Sequence, residues 1–249
     1  MNSFLTLAAN GTRHELQVCL EAGEDLNVQD KDGNSPLHVA VLNENLAAVR
    51  FFISAAADLS ATNRWHQTPV ELAADGASKP VVEALIAANA PYDPAAALHY
   101  AASWADPQDK IDILKLFLPL HKDKINVRNH NGLSVLHAAA MANYSESVEL
   151  LLDCGADLNP RDQGRGVTPL HAAILADATE CVQLLLERGA DPNTRDNFDN
   201  SPLSDALRRG NEPLVSLLLA HGASPAHLSF QMRASKLPDT NGRGSTGRN

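Results

Sequence analysis

Large side chains are scarce in this chain. Phe, Trp and Tyr together make up 4% of 249 residues, and only two are tryptophan. Ala and Leu are plentiful instead. A core of small and medium aliphatics suits closely packed helices better than a sandwich or barrel. Cysteine is also sparse: Cys19, Cys154 and Cys181 form no CxxC, and an odd count argues against a disulfide framework. Reduced, buried thiols in a cytoplasmic protein are the expectation. Basic charge is short, with 20 Lys and Arg against 30 Asp and Glu, a net charge of −10. The pI of about 5.4 disfavours a broad basic face for nucleic acid. No apolar run reaches the length of a membrane span, and "FFISAAADL" is interrupted by Asp58. The N-terminus lacks a basic stretch followed by a long apolar one, so no signal peptide is expected. There is no G-x-S-x-G, P-loop, H-E-x-x-H or Rossmann glycine pattern. These absences point away from an enzyme, a cofactor and a bound metal.

What the chain does have is self-similarity. "SPLH" at Ser35–His38 returns as "TPLH" at Thr168–His171, and "LLLDCGADLN" at 150–159 returns as "LLLERGADPN" at 184–193. Pro36 and Pro69 are 33 residues apart, as are Pro169 and Pro202. Each unit makes physical sense as two helices and a turn. Thr168 caps a first helix, and Pro169 occupies its first turn, where a missing N–H costs nothing. "LHAAI" is a short helix with alanines where a neighbour approaches closely. "ECVQLLLERG" is a second helix that Gly189 terminates. No unit covers its apolar faces alone, so stacking has to supply the core.

On these motifs the chain resembles the ankyrin repeat family, over roughly residues 4–225. The resemblance implies an all-α solenoid of stacked helix-turn-helix pairs with projecting β-turn fingers. Seven units fit, at about 1–29, 30–62, 63–93, 94–128, 129–161, 162–195 and 196–225, the first and last as caps. The Gly- and Ser-rich stretch 226–249 is expected to be a disordered tail. Unit four is irregular. Its leading turn, in "NAPYDPAAAL", is about five residues short, while "SWADPQDKID" holds about four extra residues between its helices. Either a missing finger there opens a notch beside Trp104, the reading preferred, or the irregularity is harmless drift.

His38, His99, His137 and His171 fall in one slot of the repeat. Metal ligands must converge on one ion, whereas these lie a whole repeat apart. Each is expected to satisfy backbone groups of the turns it touches. Cys154 and Cys181 have no base partner and are read as inert.

The resemblance also implies where a partner binds: the concave face, lined by the finger tips and the ends of the first helices. The slots there hold Leu42, Arg64, Trp65, Trp104, Met141, Arg165, Leu175, Phe198, Arg208 and Arg209. Both tryptophans fall among them, and Trp and Arg are favoured at binding hot spots. Trp104, in the middle unit, is the expected centre. The function these features imply is a monomeric, non-enzymatic scaffold or adaptor for another protein. The alternative is a recognition subunit that directs a separate enzyme to its substrate. In some relatives asparagines of "GADxN" turns are hydroxylated, and Asn159 and Asn193 share that setting.

Overall fold

The computed structural model describes residues 3–76, 78–103 and 107–228. Trp104 and the tail from 229 onward lie outside the described residues. Fourteen α-helices occur among the described residues and fall into consecutive pairs. These are α1 (Ser3–Asn10) with α2 (Arg13–Glu21), α3 (Pro36–Leu42) with α4 (Leu46–Ser54), and α5 (Pro69–Asp75) with α6 (Lys79–Ala87). They continue with α7 (Pro94–Ala101) and α8 (Pro107–Phe117), then α9 (Val135–Met141) and α10 (Ser145–Asp153). The last pairs are α11 (Pro169–Leu175) with α12 (Thr179–Glu187), and α13 (Pro202–Arg209) with α14 (Glu212–Ala220). The chain folds as two compact units, Met1–His130 with Leu150–Ala156, and Asn131–Glu149 with Asp157–Asn249.

Helices of seven to eleven residues are marginal alone. Two features hold them. The first is capping. Ser35, Thr68, Ser134, Thr168 and Ser201 each accept the N–H of the third helical residue, whose side chain returns a contact to the cap. Proline occupies the first turn of α3, α5, α11 and α13. At the other end of α12, Gly189 adopts φ +92°, a left-handed stop that costs an L side chain more.

The second is stacking. Within the first unit the row α1, α3, α5, α7 packs in series, and so does the row α2, α4, α6, α8. Ala40, Ala73, Ala74, Ala97 and Ala101 are buried in the first row and let the backbones approach. The scarce aromatics concentrate at particular joints. Phe52 meets Phe4 edge-on at 5.7 Å and Phe51 at 5.5 Å, while Tyr92 meets Phe117 at 5.4 Å. Within the second unit α9, α11 and α13 stack, as do α12 and α14.

The recurrent histidines join the caps to the stack. The Ser35 N–H donates to His38 Nδ1 at 3.2 Å, and the Ser35 hydroxyl lies 2.8 Å from the same nitrogen. Nδ1 therefore carries the lone pair, and Nε2–H donates to the Gln67 carbonyl at 3.1 Å, one repeat onward. His137 and His171 repeat this arrangement with Ser134 and Val167, and with Thr168 and Asn200. Each imidazole is a neutral clamp between consecutive turns. His38→Ala strands the Ser35 N–H, while the Gln67 carbonyl keeps the Asn63 N–H at 3.1 Å, and the change is expected to lower stability by about 1–3 kcal/mol. Urea denaturation checks this; a loss below about 0.5 kcal/mol, the range of an ordinary surface change, contradicts the clamp.

Repeat four departs from the pattern. Only residues 88–93 connect α6 to α7, against 55–68 between α4 and α5. Pro94 starts α7 five residues before His99, whereas Pro36 precedes His38 by two. The residue three before His99 is thus Ala96, with no hydroxyl. His99 keeps a 3.4 Å contact from Nε2 to the Val127 carbonyl, but its Nδ1 is buried without a partner. The expectation that His99 fills the common slot holds for one ring nitrogen and fails for the other.

A buried lysine repairs the other end of this repeat. Lys110 on α8 has no exposed surface, and its Nζ donates to the carbonyls of Ala74 at 2.8 Å, Asp75 at 2.7 Å and Tyr100 at 2.7 Å. The ammonium thereby caps the C-terminal ends of α5 and α7. Asn45 does the analogous work for α1, its amide reaching the carbonyls of Ala8, Ala9 and Gly11 at 3.3–3.4 Å. The longer α7–α8 connection displaces the short amide slot, and a long side chain takes its place.

Candidate functional site

Each projecting finger is built around one Asp or Asn. Asp30 Oδ1 accepts the N–H groups of Asp32 and Asn34 at 2.8 and 2.9 Å. Asn63 Oδ1 does the same for Trp65 and Gln67, both at 3.0 Å. In the second unit Asp196 Oδ1 takes the N–H of Phe198 at 2.9 Å and of Asn200 at 2.8 Å. Such side-chain-to-backbone bonds build a turn without a ladder. Burial pushes the Asp196 carboxyl up, but the bonds from Asn200, Phe198 and Arg165 outweigh it and hold it below the usual range. The next-to-last turn residue is left-handed: Gly33 at φ +76°, His66 at +60° and Asp199 at +64°. The order of each finger tip is therefore fixed by the residue that precedes it.

Adjacent fingers are stitched together. The Arg64 N–H donates to the Asp32 carbonyl at 2.9 Å, and the Asn197 N–H to the Arg165 carbonyl at 2.7 Å. Arg64 also pairs with Asp32 at 2.6 Å, and Arg165 with Asp196 at 3.2 Å. The two guanidinium groups then lie over rings, Arg64 4.2 Å from the Trp65 centroid and Arg165 5.7 Å from that of Phe198. Cation–π contact and ion pairing together hold these arginines and present the outer faces of the two rings.

The predicted slots differ in what they offer. Leu42 (56% exposed), Trp65 (54%) and Phe198 (70%) are large apolar side chains open to solvent. Met141 and Leu175, at the last positions of α9 and α11, are half-buried. Arg208 and Arg209 are paired within the second unit, with Asp205 and Asp177 respectively. Trp104 lies outside the described residues. Val18 and Leu120 are also exposed and were not singled out by the repeat pattern. They stand on α2 and just beyond α8, outside the finger and helix-end slots, and isolated apolar side chains of this kind are ordinary. The finger-organising Asp30, Asn63 and Asp196 stand five residues ahead of the caps Ser35, Thr68 and Ser201, a recurrence visible in the sequence.

Reactive chemistry finds little support in these side chains. Burial pushes the Cys181 thiol up to about 12, so it is not a thiolate at neutral pH. Cys19 is buried as well, while Cys154, just beyond the end of α10, is only half-buried where a buried thiol was expected. Among the described residues no group of three or more His, Cys, Asp or Glu side chains is placed to hold a metal ion. Among them, too, no helix is long and apolar enough to cross a membrane.

Serial helix pairs, capped turns and projecting fingers define an all-α repeat solenoid. The comparisons agree. The model for ankyrin repeats matches residues 5–96, 98–196 and 160–229. The human ASB11 ankyrin repeat domain superposes with a TM-score of 0.75 at 23% identity, covering 90% of this chain and 99% of that domain. The ankyrin repeat domain of Bcl-3, described as a unique member of the IkappaB protein family, gives a TM-score of 0.67 at 26% identity over 87% of this chain and 97% of that one. The mouse B-cell lymphoma 3 protein homolog is 35% identical over 226 residues, 86% of this chain. The chain spans 42% of that relative's length. This chain belongs to the ankyrin repeat family, whose members are protein-interaction modules.

Proposed function

We propose that this protein is a non-enzymatic scaffold or adaptor that binds another protein through its fingers and the ends of its first helices. The carrying observation is that Leu42, Trp65 and Phe198 are exposed although their backbones and neighbours are fixed. An aromatic held in place before binding loses little entropy on contact. Arg64 and Arg165 serve mainly to hold the rings, since each already has a carboxylate partner in its neighbouring finger. Likeness to the ankyrin repeat domain of Bcl-3, a member of the IkappaB protein family, supports the same reading.

Trp65→Ala is expected to weaken partner binding at least about tenfold, about 1.4 kcal/mol. The melting temperature should stay close to that of the wild type, because the residue is more than half exposed and Arg64 keeps its ion pair with Asp32 when the ring is gone. Calorimetric titration together with a thermal melt checks both. A collapse of the melt with unchanged affinity assigns Trp65 to the stack and removes it from the site.

A further inference from the structure

The finger that carries Trp65 is connected differently from its counterparts. In the Asp30 finger the organising carboxylate has two oxygens. Oδ1 takes the backbone N–H groups, and Oδ2 accepts the Asn34 side-chain amide at 3.2 Å. The Asp196 finger closes on itself in the same way, with the Asn200 amide 3.0 and 3.1 Å from its carboxylate oxygens. The Trp65 finger has an amide, Asn63, in the organising position. Its one oxygen already accepts the Trp65 and Gln67 N–H groups. Its nitrogen donates to Gln67 Oε1 at 3.3 Å and to Asn34 Oδ1 at 3.4 Å. Gln67 is only 7% exposed, so its own amide nitrogen needs an acceptor elsewhere. It finds Asp75 Oδ2 at 3.3 Å, and Asp75 is the last residue of α5. Gln67 is one methylene longer than Asn34 or Asn200, which gives it this reach.

We propose that Gln67 and Asp75 are positioning residues for the protein-binding face. Their hydrogen bond braces the Trp65 finger against the end of α5, so a partner meets finger and helix end in a fixed relation. The brace joins the two kinds of slot that the binding face combines. Asp75 is a firm anchor for it, because the Asp75 carbonyl accepts Lys110 Nζ at 2.7 Å. Neither residue has to touch the partner. Their effect is on how Trp65 is held before contact, and an arrangement set in advance spares part of the ordering cost of binding. The Asp30 and Asp196 fingers spend the corresponding amide on their own carboxylates and have no such tie from that residue. This inference rests on the protein-binding reading above.

The test exchanges donor and acceptor in the full chain. Gln67→Glu removes the donor and sets a second carboxylate against Asp75. Asp75→Asn alone keeps an acceptor oxygen for Gln67. The two changes together restore the hydrogen bond with its direction reversed, and Asn63 still finds an acceptor oxygen at position 67. Residual dipolar couplings of the N–H groups of residues 64–67 and of α5 report whether finger and helix share one orientation. One shared orientation is expected in the wild type, in Asp75→Asn and in the double variant. Reduced finger couplings beside unchanged α5 couplings are expected in Gln67→Glu. If Gln67→Glu melts α5 as well, Gln67→Met, which removes the donor without adding charge, replaces it in both measurements. Binding is read with a photo-crosslinking phenylalanine derivative at Leu42 in a lysate of the cell that makes the protein. Gln67→Glu is expected to lower the yield of the cross-linked species about three- to tenfold, the scale of one hydrogen bond, and the double variant to recover it. A finger that keeps its orientation in Gln67→Glu, an unchanged cross-linking yield in that variant, or a double variant that recovers neither readout overturns the proposal and leaves the protein-binding reading standing. No cross-linked species from the wild type overturns that reading, and this proposal with it.

Discussion

Acidification is expected to unfold this protein well above the range where carboxylates titrate. Burial holds the imidazoles of His38, His99 and His171 below their ordinary value of 6.5. Nearby carboxylates and the carbonyls they face oppose the shift without reversing it. In the unfolded chain these side chains bind protons near 6.5, while in the folded chain they stay neutral to lower pH. Between those two limits the unfolded state holds more protons, so stability falls as pH falls. Each imidazole contributes up to about 1.4 kcal/mol per pH unit over its window. Three acting together give up to about 4 kcal/mol per unit, a large part of the about 5–15 kcal/mol that a domain has. Urea denaturation at about pH 7.5, 6.5 and 5.5 should show a steep loss that begins below about 6.5. Stability that stays flat down to about pH 5 contradicts neutral histidine clamps.

Removing the ammonium of Lys110 should be the most damaging single change in the first unit. Lys110→Met keeps the length and apolar stem of the side chain but strands the carbonyls of Ala74 and Asp75 at the end of α5. Tyr100 keeps another donor, the Ser103 hydroxyl at 3.0 Å. Two stranded buried acceptors cost about 2–5 kcal/mol, offset in part because no charge is left to bury. The expected net loss is about 3 kcal/mol at neutral pH. The pH dependence separates this from a mere packing defect. Burial pushes Lys110 down to about 8, against 10.5 for a free lysine. Between those values the unfolded wild type binds more protons, so the wild type gains stability with rising pH and Lys110→Met lacks that gain. A parallel pH profile for the two proteins, or a loss below about 1 kcal/mol, sinks the capping role.

Much of this architecture was legible because local chemistry and repeat spacing agree. Thr168, Pro169 and Gly189 are placed by helix ends, and helix ends recur wherever the 33-residue step recurs. The histidine clamp could be read for His38, His137 and His171 because each follows a capping hydroxyl by three residues. It could not be read for His99 without knowing that Pro94 starts α7 early. Lys110 was harder still. In "PQDKID" it has the appearance of a solvated charge, and only the packing of α8 against α7 takes it inside. The binding slots were legible by position and less so by exposure. Leu42, Trp65 and Phe198 are open, whereas Met141 and Leu175 are half-buried. The arginines beside the rings looked like independent contacts in the sequence. Their carboxylate partners stand about one repeat away, for Arg64 in Asp32 and for Arg165 in Asp196, and pairing between fingers is a property of the stack.

The central claim is that another protein docks on the finger and helix-end side chains. The most direct measurement places a photo-crosslinking phenylalanine derivative singly at Leu42, at Trp65 or at Ala87, in a lysate of the cell that makes the protein. Ala87 lies on a groove that also includes Arg50, Ile53 and Glu83, on the second helices and away from the fingers. The account predicts the same partner protein cross-linked from positions 42 and 65 and none of it from position 87. Cross-linking that is as strong from position 87, or that is confined to it, contradicts the account.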